Sequence, residues 1–284
     1  MRRLAVILLA GALLNGGCER RAPRDDVPSP RVVSFSPAIT EMLFDMGLGD
    51  HVVGVTRYCI LPEGVRRPVV GSQLNIRAEP ILAVNPDVLL AQTAPKHFET
   101  VRKLSPHICI AHFRIETLAD IGVAMARIAE IVRRPDIGRR AKAEFLAKLK
   151  NVREKVAGLN RPRVIFVTGY KNPLAAGRAT FINELIELAG GVNAAGEKYS
   201  GWKRASIESI LRLAPDVVVC EAGPATVDEA RRYFEKLTAS GGTKVRVCTV
   251  TDRRWTIPTG WIADRAAGRM ARFIHPELRP GGGE

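Results

Sequence analysis

The chain has 284 residues, of which 46% are hydrophobic and 25% charged, with a formal net charge of +14. That length can bury two cores of ordinary size, and the balance is that of a folded, water-soluble chain rather than a disordered one. Its five cysteines make no C-x-x-C pair and no zinc spacing, so no zinc module is expected.

Residues 1–18 read as a targeting signal. Arg2-Arg3 form a basic start, and the apolar run 4–14 is too short to cross a bilayer, which takes about 20 residues. Asn15-Gly16-Gly17-Cys18 follows. Small residues ahead of a cysteine resemble the lipobox of bacterial lipoproteins, although Asn15 stands where leucine is usual and Leu14 comes one step early. Cys18 is therefore the expected lipidation site, and the lipid a membrane anchor. Residues 19–30 (ERRAPRDDVPSP) are charged and proline-rich, an unfolded tether that reaches about 37 Å at about 3.1 Å per residue. The leader makes the mature chain extracytoplasmic. Export argues against nucleic acid as the partner of its basic charge, which reads mainly as solvated surface with a slight preference for an anionic ligand.

From residue 31 strands and helices alternate: a strand over 31–36, a helix over 39–46, strands over 52–55 and 108–111. This pattern predicts a parallel sheet flanked by helices. Residues 118–132 form one amphipathic helix. Pro135 breaks it and opens a second over 136–157, whose apolar positions Ile137, Ala141, Phe145, Leu149, Val152 and Val156 make a single stripe. The αβ pattern resumes with strands over 164–168, 217–219 and 245–250. The expected organisation is an N-terminal αβ lobe over 31–117, a helical connector over 118–161 and a C-terminal αβ lobe over 162–284, each lobe with its own core. The long helix makes the connector stiff and the lobe motion small.

Two internal echoes support a duplicated lobe. The block EPILAVNPDVLL (79–90) returns as ESILRLAPDVVV (208–219), identical at six of twelve positions. The spacing of 129 residues is far beyond a solenoid period. Upstream, ITEMLFDMG (39–47) parallels INELIELAG (182–190), both read as helices stopped by glycine. Glu79 and Glu208 thus open equivalent helices. First-turn carboxylates stabilise a helix by about 0.3–1 kcal/mol, which alone could account for them. On two symmetry-related lobes they would also present matching charges to a partner with two basic sockets.

No nucleophile motif, metalloprotease helix, phosphate loop or dinucleotide fingerprint occurs. The histidines 51, 97, 107, 112 and 275 form no compact metal face and are read as surface residues; no metal and no cofactor are expected. Cys109, Cys220 and Cys248 lie in apolar runs and are read as buried thiols; with Cys59 their redox state stays open. Tyr58 and Trp202 fall in loops expected at an inter-lobe cleft, where aromatics would wall a large ligand. Ordinary packing is the competing reading for each. Tyr170 and Trp255 complete the candidate aromatic set.

The segments RVVSFSPAITEMLFDMG, VVGVTRY, AEPILAVNPDVLLA, FINELIELAGGVN and GWKRASIESILRLAPDVVV occur in the order found in periplasmic substrate-binding proteins of the cobalamin, ferric-siderophore and haem uptake class. The resemblance runs from Arg31 to about Phe273 and is strongest to the B12-binding members. It implies an α/β fold of two Rossmann-like lobes joined by one long backbone helix. It implies a non-enzymatic, monomeric receptor that hands a metal chelate to an ABC permease and its ATPase. By the same resemblance Tyr58 and Trp202 match pocket aromatics, and Glu79 and Glu208 match the docking glutamates. Two further pocket tryptophans have no counterpart; Gln73 and Gln92 stand near their places. A corrinoid is the leading ligand, with ferric siderophore or haem as the alternative. An exported αβ enzyme using the same cleft and a lipoprotein sensor are the rivals from other classes.

Overall fold

The computed structural model describes residues 29–240 and 245–278, so the leader with Cys18, and nearly all of the tether, lie outside the described residues. The chain opens with β1 (Val32–Ser34), and Ser36 then caps α1 (Pro37–Asp45), its hydroxyl accepting from the Ile39 N–H while Pro37 supplies a preset first turn. α1 stops at Gly47, which takes φ +71°, a conformation that favours glycine. β2 (Val52–Val55) follows, then a small hairpin of β3 (Gly71–Ser72) and β4 (Asn75–Ile76), α2 (Ala78–Ala83), β5 (Val88–Ala91), α3 (Glu99–Leu104) and β6 (Cys109–His112). The strands β2-β1-β5-β6 form one parallel sheet.

Two helices then leave this sheet, α4 (Leu118–Ile131) and α5 (Pro135–Lys155). Thr117 and Asp120 form a reciprocal capping box at the start of α4. The 21 residues of α5 span about 31 Å at about 1.5 Å per residue. Gly138 lets the two helices close on each other: a Cβ there would stand 2.7 Å from the Ala129 Cβ and 2.9 Å from the Ala126 Cα. The connector is thus a packed helical hairpin rather than one free-standing rod.

The second half contains β7 (Arg163–Thr168), β8 (Leu174–Ala176), α6 (Phe181–Leu188), β9 (Val192–Asn193), β10 (Trp202–Arg204), α7 (Ile207–Arg212), β11 (Val217–Glu221), α8 (Val227–Ser240), β12 (Arg246–Val250) and α9 (Ala267–Ile274). Its sheet runs β10-β8-β7-β11-β12, with β7, β11 and β12 parallel, and β8 and β10 antiparallel additions at one edge. β9 pairs with β7 in parallel.

Strand side chains alternate between faces, and here each face has a different owner. In β1 and β5, Val33, Leu89 and Ala91 join a core private to the first lobe with Phe35, Ile81 and Phe98. Their neighbours Val32, Val88 and Leu90 join another core, which also holds Met125, Ile128, Phe145, Val164, Phe166, Val217, Val219 and Trp255. In the second lobe Ile165, Val167, Val218 and Cys220 line a private core. The expectation of one core per lobe is therefore extended: each lobe keeps a core of its own, and a further core is continuous from α1 through α4 and α5 to the second sheet. With both faces covered, the parallel strands can be apolar at every position, which is why they read as unbroken runs.

Three further expectations change. Cys109 is exposed, because it begins the edge strand β6. His51 and His275 are buried rather than on the surface: the His51 Nδ1 lies 3.2 Å from the Pro30 carbonyl oxygen, and His275 packs against Gly190 at the end of α6. Cys220 is buried as expected, and burial pushes its thiol up to about 12, which leaves it inert.

The duplication is exact enough to repeat single hydrogen bonds. The Asp87 carboxylate accepts from the Arg31 N–H at 2.7 Å, and the Asp216 carboxylate accepts from the Arg163 N–H at 2.7 Å. The Arg31 guanidinium donates to the carbonyls of Asn85 and Val84, and that of Arg163 to the carbonyl of Leu213. Asn85 and Ala214, each just before the Pro-Asp turn, both take φ +44°. The repeated aspartates thus fasten the turn to the start of the lobe's first strand. Asp87→Ala and Asp216→Ala should each destabilise by about 1 kcal/mol, the net value of one such bond, and by similar amounts in urea unfolding.

Candidate functional site

Parallel αβ sheets present their ligand-binding loops at the carboxyl ends of the strands. In the first lobe these ends are built on hydroxyls. The Thr40 Oγ1 donates within a buried knot formed with Ser34 Oγ at 2.8 Å, the Ser36 carbonyl at 3.0 Å and Cys59 Sγ at 3.0 Å. The Ser36 hydroxyl donates to Gln92 Oε1 at 2.5 Å, and the His112 ring nitrogen Nε2 lies 3.1 Å from the Gln92 carbonyl. The knot fixes the loop after β2, on which Tyr58 stands 44% exposed. Gln73 and Leu74 sit at the tip of the β3–β4 hairpin, with Leu74 91% exposed.

In the second lobe Trp202 opens β10 opposite Ala176 and lies half-buried, its ring edge-on to Phe166 at 6.2 Å. Tyr170 lies just past the end of β7. With Thr168, Gly169, Lys171, Glu221 and Gly223 it lines a hollow of about 390 Å³. Its ring leans on Tyr233 of α8 at 5.6 Å, and the hydrogen bond to Glu229 raises its phenol above the ordinary range. Trp255 does not suit a pocket wall. It is 0% exposed, stacked on Phe166 at 6.1 Å and on Phe273 at 6.1 Å, and belongs to the shared core. Among the described residues no ring contact joins Tyr58 to Trp202, and Trp202 packs against the shared core.

Glu79 and Glu208 lie where the repeat placed them, in the first turns of α2 and α7, both exposed. Arg77 stands 3.8 Å from Glu79, an exposed pair of little energetic weight. Neither glutamate is consumed by internal structure, so both charges remain available to a partner.

The sequence reading missed a buried polar group at the lobe boundary. Glu41 on α1 is 8% exposed, and its Oε2 has no hydrogen-bond partner. Burial, reinforced by the charge of Asp45 one turn on, pushes its carboxyl up to about 7 against the pull of Arg254. Asp45 is raised by burial and by Asp264. Arg254 is held mainly by Asp252, through bonds of 2.6–3.1 Å. The signal was present in the second echo, where Glu41 aligns with Glu184. Glu184 also turns inward, and accepts from the Leu118 N–H at 2.6 Å.

Comparison with known proteins fits this architecture. A family described as "periplasmic binding protein" matches residues 32–239. A vitamin B12-binding protein of Pectobacterium carotovorum is 26% identical over 209 residues, covering 72% of this chain and 76% of its own length. An ABC transporter substrate-binding lipoprotein of Bacillus subtilis, itself uncharacterised, is 26% identical over 230 residues, covering 74% of this chain and 69% of its own length. Among solved structures, the periplasmic vitamin B12 binding protein of Vibrio cholerae superposes with a TM-score of 0.75 at 21% identity, over 89% of this chain and 99% of that one. A periplasmic haem-binding protein of Pseudomonas aeruginosa gives 0.76 at 20% identity, over 90% and 96%. With a family model covering most of its length and the same two-lobed fold, the chain belongs to the periplasmic binding protein family.

Proposed function

We propose that this protein is the solute-capturing component of an ABC importer, that it holds a corrinoid between its lobes, and that it delivers the ligand to a permease without chemistry of its own. The observation that carries this reading is the placement of two ligand-sized aromatics, Tyr58 beside the carboxyl end of β2 and Trp202 half-buried on the second lobe, in a chain similar to B12-binding proteins. Flat apolar rings suit a planar macrocycle, and each aromatic contact adds about 0.5–1.5 kcal/mol beyond area burial. Haem or a ferric siderophore is the second reading. It rests on Gln73 and Gln92, which stand where the resemblance to B12-binding members expects tryptophans. The absorbance spectrum of protein isolated from ligand-rich medium separates the readings, because corrinoid, haem and ferric catecholate absorb at different wavelengths. Trp202→Ala should weaken binding several-fold while the far-ultraviolet dichroism is unchanged. Unaltered affinity by calorimetry removes Trp202 from the pocket.

Delivery requires a docking face, and Glu79 with Glu208 supplies one charge per lobe. The double variant Glu79→Ala, Glu208→Ala should abolish uptake and leave ligand affinity near that of the wild type, with the effect of each single change larger at low salt. Normal transport by the double variant would leave the two residues as helix-terminal charges only. The anchor is the remaining part of the reading: Cys18→Ser should move the protein from the membrane fraction to the soluble extracytoplasmic fraction.

A further inference from the structure

The seam between the lobes contains a buried acid with no counter-charge of its own. From the first lobe come Glu41 and Asp45, both on α1. From the second come Asp252 and Arg254 after β12, then Thr259 and Gly260, then Asp264 in a single π-helical turn (Ile262–Ala266) that leads into α9. α5 contributes Lys148, paired with Asp264 at 2.5 Å, and α9 contributes Arg269, whose charge acts on Asp252. α4 contributes the Met125 side chain, against which Gly260 packs so closely that a Cβ would come within 2.7 Å. The Thr259 hydroxyl faces Glu41 closely enough to pull its carboxyl down somewhat against the burial that raises it, yet neither the Thr259 Oγ1 nor the buried Glu41 Oε2 has a partner at hydrogen-bond geometry.

Two of the three cations near this cluster already have carboxylate partners, and the third, Arg269, lies over the Phe273 ring at 5.3 Å. Arg254 chelates Asp252, and Lys148 holds Asp264. A metal ion is not the missing counter-ion either, because among the described residues no three His, Cys, Asp or Glu side chains stand close enough to hold one. What remains is a proton. A buried carboxylate without a partner is costly, whereas a neutral carboxyl can face a hydroxyl at much lower cost.

We propose that Glu41 is a proton-controlled latch across the lobe seam: with its carboxyl neutral, α1 stays packed on the Thr259–Gly260 loop, and ionisation loosens that contact. The π-helical turn follows that loop directly, and such turns, rare in general, occur frequently at functional sites. The inference needs no particular ligand and stands apart from the identity of the cargo.

The sign follows from linkage. The closed seam raises Glu41 from 4.5 to about 7, so the closed form binds the proton more tightly than the open form does. Closure is then fully favoured below the lower value, weakens as pH rises between the two, and changes no further above the upper one. Hydrogen exchange of the full-length chain, corrected for intrinsic rates, should show the opening constant of segment 255–266 rising by up to about tenfold per pH unit from 5 to 7 and levelling beyond. Glu41→Gln should flatten this dependence. Asp45→Asn, which removes the charge that helps raise Glu41, should shift its upper end to lower pH without abolishing it. In wild-type protein, carbon-13 spectra of the glutamate carboxyls should contain one resonance with a midpoint near 7. A flat wild-type profile, a slope that survives in Glu41→Gln, or glutamates that all titrate below 6 would overturn the latch.

Discussion

The molecule depends on one constraint: its two sheets share a core. Each central strand gives one face to its own lobe and the other to a body of side chains that runs from Ile39 and Met42 through Met125 and Phe145 to Phe166 and Trp255. Separating the lobes would expose part of that body, at about 25 cal/mol for each Å² of apolar surface. Large hinge motion is therefore expensive, and the stiffness expected from a long connector comes less from the length of α5 than from what both connector helices touch. The lobes of such a receptor can change by small adjustments at the seam, without swinging apart.

A dry shared core also decides which polar groups matter. Most of the chain's excess positive charge lies on exposed surface, where pairs such as Lys150 with Glu154 are screened and worth little. The few polar groups inside are costly unless matched. The first lobe matches Ser34, Ser36, Thr40, Thr56 and Cys59 to one another, and that knot holds the loop carrying Tyr58. The position of Tyr58 thus rests on a buried hydroxyl network and not on the charged exterior.

Much of this was legible in the sequence. The repeat EPILAVNPDVLL and ESILRLAPDVVV implied two lobes because the same turn chemistry recurs, and the structure shows why: Pro-Asp after a left-handed residue is fastened by an arginine at the strand start in both halves. The helix 136–157 was legible because a single apolar stripe can only face one way. Trp255 was misjudged because an aromatic after a strand looks the same in sequence whether it faces the cleft or turns inward onto Phe166 and Phe273. The shared core was not legible, because an apolar run does not say which neighbour covers each face. Cys109 shows the converse, an apolar context at an edge strand that leaves the thiol exposed.

The two halves also show how a duplicated position acquires a new role. Glu41 and Glu184 occupy equivalent places on α1 and α6, and both point inward. In the second half the carboxylate meets the free N–H at the start of α4, so a helix terminus satisfies it and the connector gains a cap from the opposite lobe. In the first half the equivalent direction leads to the Thr259–Gly260 loop, which presents a buried hydroxyl that itself has no hydrogen-bond partner. Asp45, one turn later, adds like charge where the second half has a neutral residue, Leu188, at the corresponding place. One copy thus became a fixed structural bond, and the other became a group whose charge is left to the surrounding pH.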